Sequence, residues 1–109
     1  MTLLQEKATE RVKRGASWLD KVEPDWAVLI DKETLELQIP WRCVLGQVFE
    51  DRIYGMNGYG FGRTVLTDAE IVEYGFDVTD LYSVTDLDSV TYESLTAAWI
   101  DAIDERTAS

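Results

Sequence analysis

Leu66-Thr67-Asp68-Ala69-Glu70-Ile71-Val72-Glu73-Tyr74-Gly75-Phe76 carries the start and the stop of a helix within one short stretch. Thr67 and Glu70 stand three apart. At that spacing a threonine hydroxyl accepts from the glutamate amide while the glutamate carboxylate accepts from the threonine amide. Leu66 and Ile71 occupy the two positions of a hydrophobic staple, Gly75 offers the left-handed position that ends a helix, and Phe76 is placed to fold back on Ile71. Residues 68–74 are therefore expected as a two-turn helix.

Similar signals extend in both directions. Val90 and Leu95 staple the region around Thr91, and Leu95, Trp99, Ala102 and Ile103 recur at helical spacing, so a last helix is expected from about Thr91. Toward the N-terminus, Leu4, Ala8, Val12, Gly15/Ala16, Leu19 and Val22 predict a first helix of about five turns, ended by Pro24, with Glu10 set to pair with Lys13 or Arg14. Asp25 is placed to cap a short helix or turn carrying Trp26, Leu29 and Ile30. Leu35, Leu37 and Ile39 alternate with Glu36 and Gln38 for only five residues and have no partner strand, so this segment is expected as an extended connector. Pro40 suits a first helical position, and Trp41, Val44, Leu45, Val48 and Phe49 then form an apolar face running to about Arg52.

Two stretches resist a regular reading. Residues 55–62 (GMNGYGFG) hold four of the seven glycines and are expected as a surface loop. Residues 78–90 repeat Val-Thr-Asp-Leu-Tyr-Ser and Val-Thr-Asp-Leu-Asp-Ser before Val90-Thr91-Tyr92-Glu93-Ser94. Three copies are too few to stack into a β-helix, and a solvated loop of Asx and Ser/Thr turns is expected. The sum is one mainly α domain over 1–109, a compact small helical domain of about four helices with a Gly-rich surface loop. Trp18, Trp26, Trp41 and Trp99 are large core candidates, one of which is free to mark an interface.

Composition narrows function. Histidine is absent, which removes the commonest general base and metal ligand, and the single cysteine, Cys43, falls on an apolar helical face where it reads as a small buried hydrophobe. No catalytic, cofactor-binding or metal-ligating residue is assigned, and the chain is expected not to be an enzyme. The carboxylate groups Asp86/Asp88 and Asp101/Asp104/Glu105 do not follow a calcium-loop spacing. No stretch has the length of a signal peptide's apolar run or of a membrane span, so a cytoplasmic protein without membrane contact is expected.

The formal net charge is −11, and it is lopsided: residues 1–63 carry ten acidic and nine basic side chains, whereas residues 64–109 carry eleven acidic side chains and only Arg106. Such a field disfavours direct contact with nucleic acid and favours a basic protein partner. Asp86 and Asp88 lie ahead of the last helix, where its dipole explains them. Asp101, Asp104 and Glu105 crowd one face of its last turns, where like charge and dipole both work against them. Either they meet a partner or they form a well-hydrated helix end. Tyr59 and Phe61, in the glycine-rich stretch, are the aromatic candidates for contact or for self-association.

Arg14-Gly15-Ala16-Ser17-Trp18-Leu19-Asp20, Pro24-Asp25-Trp26, Ile30-Asp31, Arg42-Cys43-Val44-Leu45-Gly46-Gln47, Tyr74-Gly75-Phe76 and Tyr92-Glu93-Ser94-Leu95-Thr96-Ala97-Ala98-Trp99 together resemble a group of small proteins encoded by phages of actinobacteria. The Arg42–Gln47 segment is the most distinctive. The resemblance implies a phage protein working in a bacterial cytoplasm, and it transfers no activity and no site residues. The expected function is that of an accessory protein that binds and modulates a host or phage protein, itself basic or nucleic-acid-binding, through an acidic C-terminal surface that imitates nucleic acid. A self-associating assembly protein, hence a homo-oligomer, is the alternative, with a small metal-dependent enzyme behind it.

Overall fold

The computed structural model describes residues 3–39, 41–49, 58–78 and 90–108, and within them the chain is helical, with no strand. Six helices follow one another among the described residues: α1 (Leu3–Val22), α2 (Trp26–Leu29), α3 (Val44–Val48), α4 (Gly58–Val65), α5 (Asp68–Glu73) and α6 (Tyr92–Thr107). α1 packs chiefly on α6, α5 lies against α1, and α3 with α4 forms a second layer joined through α2.

α5 is built as its sequence dictates. The Thr67 hydroxyl accepts from the Glu70 amide at 3.1 Å and the Glu70 carboxylate accepts from the Thr67 amide at 2.9 Å. These bonds hold the exposed Glu70 carboxyl below its usual range. At the other end the Phe76 amide donates to the Ile71 carbonyl at 2.9 Å and the Gly75 amide to the Val72 carbonyl at 3.1 Å, a complete Schellman ending, with Gly75 at φ +77°. α6 starts with the same reciprocity between Thr91 and Ser94, and it buries Leu95, Ala98, Trp99, Ala102 and Ile103.

The core centres on Trp99. Its indole stacks on Phe76 (centroids 5.3 Å apart) and meets the edge of Trp26 at 5.6 Å, while its N–H donates to the Gly75 carbonyl at 2.7 Å. Gly15 lets α1 reach this cluster: a Cβ there would stand 2.0 Å from the Tyr74 carbonyl oxygen and 3.0 Å from the Trp99 ring.

Elsewhere the structure departs from the sequence expectations. The helix expected from Pro40 begins only at Val44, because the amides of Arg42 and Cys43 both turn back to the Ile39 carbonyl and Cys43 becomes the N-cap, its sulfur accepting from the Gly46 amide at 3.3 Å. Trp41 therefore stands outside the helix and is 65 % exposed, not a core residue. Trp18 is only partly buried, against the core, while Trp26 and Trp99 are fully buried. Asp25 occupies the N-cap position of α2, but its side chain makes no capping bond. Residues 35 and 36 have no regular structure and residues 37–39 turn, with Leu35 and Leu37 buried.

The glycine-rich stretch, expected as a loop, is helical from Gly58 onward, forming α4; residues 55–57 lie outside the described residues. The propensity loss of about 1 kcal/mol per helical glycine is accepted for packing at Gly62, where a Cβ would come within 2.8 Å of the fully buried Leu45 side chain. Of the hexapeptide repeat, residues 79–89 lie outside the described residues. Glu10 does not pair with Arg14, whose Nε donates instead to the Glu73 carbonyl at the end of α5, 3.1 Å away.

Replacing Gly15 by alanine forces α1 off the Tyr74 carbonyl, and overpacking of this kind costs about 1–3 kcal/mol. Thermal unfolding of Gly15→Ala is expected several degrees below the parent, at roughly 4–8 °C per kcal/mol. An unchanged midpoint would show that the α1 to α5 approach is looser than the geometry requires.

Candidate functional site

The helical repeat of α6 sets Asp101, Asp104 and Glu105 on its last turns, and all three are exposed. They do not share one environment. Asp104 is turned to the loop after α2, where its carboxylate pairs with the Lys32 ammonium. Asp101 and Glu105, one turn apart, open together onto a cleft of about 290 Å³ between α1 and α6. Val12, Ala16, Ala98 and Ala102 floor this cleft, and Thr9, Lys13, Ser17 and Arg106 complete its walls. Alanines on facing helices let the backbones approach and leave the rim to longer polar side chains. Asp101 has no ion pair among the described residues, and the Glu105 carboxylate stands 3.9 Å from the Arg106 guanidinium.

Arg106 is held on the other side. Its Nε and Nη2 grip the two carboxylate oxygens of Asp20 at 3.0 and 2.9 Å, its Nη1 donates to the Ala102 carbonyl at 3.2 Å, and its plane lies 5.2 Å over the Trp26 ring. The Trp26 indole donates to the same Asp20 carboxylate at 2.8 Å. The hydrogen bonds from Arg106 hold the Asp20 carboxyl below its usual range against partial burial, and the guanidinium is raised in return. The first and last helices are thus clasped by a pair 86 residues apart in sequence. No local signal pointed to it.

The remaining candidates divide as follows. Phe61 is partly buried and packs on Phe49 at 5.1 Å, so it is a core contact and not a free aromatic. Tyr59 lies on α4, its side chain outside the described residues, as are Asp86 and Asp88. Cys43 is buried and its thiol is pushed up to about 11 by burial, which suits the structural role expected of it. Among the described residues no group of three His, Cys, Asp or Glu side chains is placed to hold a metal ion, and no helix is long and apolar enough to cross a membrane. Sequence reasoning named Arg106 as the one cation near these carboxylates but missed the cleft itself, with Lys13 on its wall and alanines on its floor.

Comparison of the chain with protein-family models, with curated proteins and with solved structures finds no match.

The Asp20 clasp gives a pH signature. A carboxyl lowered by folding contributes stability above its unfolded value of about 3.9, and loses that contribution as pH falls through the lower folded value. Asp20→Asn is expected to be less stable than the parent in urea unfolding at about pH 7, with the difference shrinking as both are taken to about pH 2. A pH-independent difference would show that the loss does not come from the charge of the Asp20 carboxylate.

Proposed function

We propose that the chain is a non-catalytic phage accessory protein that binds a basic protein partner, host or phage, through the carboxylates at the end of α6. The observation that supports this reading is the pairing of Asp101 and Glu105, exposed, one helical turn apart and open to a single cleft. A lysine or arginine side chain of a partner would meet two carboxylates there, with Thr9 and Ser17 as further polar contacts. Asp104, committed to Lys32, shapes the surface without being the contact. The excess of acidic side chains after residue 63 would speed encounter with a basic surface, including one that ordinarily holds nucleic acid.

The test keeps Asp104 in place, because its removal would leave Lys32 without its ion pair. Asp101→Asn/Glu105→Gln should capture a nucleic-acid-binding protein from an actinobacterial lysate about two- to thirtyfold less well than the parent at low salt, since each exposed pair contributes roughly 0.2–1 kcal/mol. Parent binding should itself weaken as salt rises. Equal capture by both forms at low salt would dispose of this reading.

One observation favours self-association as a second reading: Trp41 at 65 % exposure, with Val28 at 70 % and Leu29 at 47 % on α2, leaves large apolar side chains in water. On that reading Trp41→Ser abolishes a concentration-dependent dimer in sedimentation, whereas Asp101→Asn/Glu105→Gln leaves it intact. A parent chain that stays monomeric at every concentration excludes it.

A further inference from the structure

The acidity of this chain is interrupted on one face of α1. Arg14, Ser17, Trp18 and Lys21 recur at three- and four-residue steps, and with Lys13 and Tyr74 they line a groove of about 380 Å³ that borders the carboxylate cleft at Lys13 and Ser17. Three formal positive charges converge there on a chain whose net charge is −11. Lys13 and Lys21 are exposed and neither has an ion pair among the described residues. Arg14 is pinned by the bond from its Nε to the Glu73 carbonyl, which fixes the guanidinium at the groove. Two neighbouring carboxylates are committed elsewhere: Asp20 to Arg106, and Glu70 to the start of α5, with its second oxygen 3.5 Å from the Tyr74 hydroxyl.

The groove is also aromatic. Trp18 and Tyr74 lie with centroids 6.5 Å apart, and both are only partly buried although Trp18 is braced behind by Phe49 and Phe76 at 5.9 Å. Cations around a braced, partly buried indole and phenol are complementary to one ligand chemistry, a planar ring that carries phosphate. The volume falls within the range of small-molecule sites.

We propose that this groove binds a free mononucleotide, its base against Trp18 and Tyr74 and its phosphates among Lys13, Arg14 and Lys21. A free nucleotide fits better than a nucleic acid strand. Two or three phosphate charges match the three cations, whereas the further phosphates of a strand would run onto a surface that repels them. The groove adjoins the carboxylate cleft of α6, with Lys13 and Ser17 lining both, but takes a ligand of opposite charge.

Isothermal titration of the full chain at low salt and without divalent metal, using ADP, adenosine, inorganic phosphate and an oligothymidylate of about ten residues, tests this. ADP should bind saturably at one site, with adenosine and phosphate each at least about tenfold weaker, and its affinity should fall as salt rises. Lys13→Gln/Lys21→Gln, two exposed positions, should lower ADP affinity at least about tenfold with an unchanged thermal midpoint. In the parent, ADP should shift the indole resonance of Trp18 and leave those of the buried Trp26 and Trp99 in place. Any of four results would overturn the proposal: no saturable binding at millimolar ADP, phosphate binding as tightly as ADP, tighter binding of the oligonucleotide, or displacement of ADP by an equal concentration of an acidic tyrosine-containing peptide.

Discussion

A buried indole N–H must find an acceptor, and in this fold the acceptor of Trp99 is the carbonyl of Gly75. Leaving such a donor unpaired would cost about 1–3 kcal/mol, so the end of α5 is tied to the middle of α6. The arrangement works only because two glycines make room. Gly75 takes the positive φ that turns its carbonyl toward Trp99, and Gly15 removes the side chain that would otherwise strike the Tyr74 carbonyl. Phe76, next in sequence, then stacks on the Trp99 ring, and Trp26 closes its edge. Three helices and the turn after α5 are located by one hydrogen bond and the rings around it.

Electrostatics is organised on the same frame. The second part of the chain is strongly acidic, and α6 is fastened to the first part through Arg106 on Asp20 and Lys32 on Asp104. These partly exposed pairs are modest in energy, though Asp20 gains from a bidentate guanidinium and the Trp26 N–H together. Their larger effect is to sort the carboxylates. Asp20 and Asp104 are committed to the fold, and Asp101 and Glu105 are left facing the cleft. The cations of α1 are sorted likewise, with Arg14 fixed on α5 and Lys13 and Lys21 in water.

Local chemistry was legible in the sequence wherever the determinants lie within a few residues. The box at Thr67 and Glu70, the stop at Gly75, the start at Thr91 and the buried stripe of α6 all form as their spacing implies. Long-range packing was not legible. The glycines of α4 look like loop residues until Gly62 is seen against Leu45, and Trp41 looks like core until the turn through Ile39 displaces the start of α3. The carboxylate cluster on α6 could be identified from its spacing, but its division between Lys32 and the cleft depends on partners far away in the chain. The groove on α1 was hidden in an amphipathic pattern whose outer face reads as ordinary solvated charge. The distinctive Arg42–Gln47 segment is structural: Gln47 bridges the backbone of Asp31 and Arg42 while Cys43 caps α3.

That capping sulfur has a practical corollary. Because the Cys43 thiol is enclosed, protonated at neutral pH and engaged with the Gly46 amide, an alkylating reagent can reach it only when α3 lifts from the core. The pace of its labelling is a clock for opening of the second layer, carried by a single native atom and readable by mass without any engineered probe.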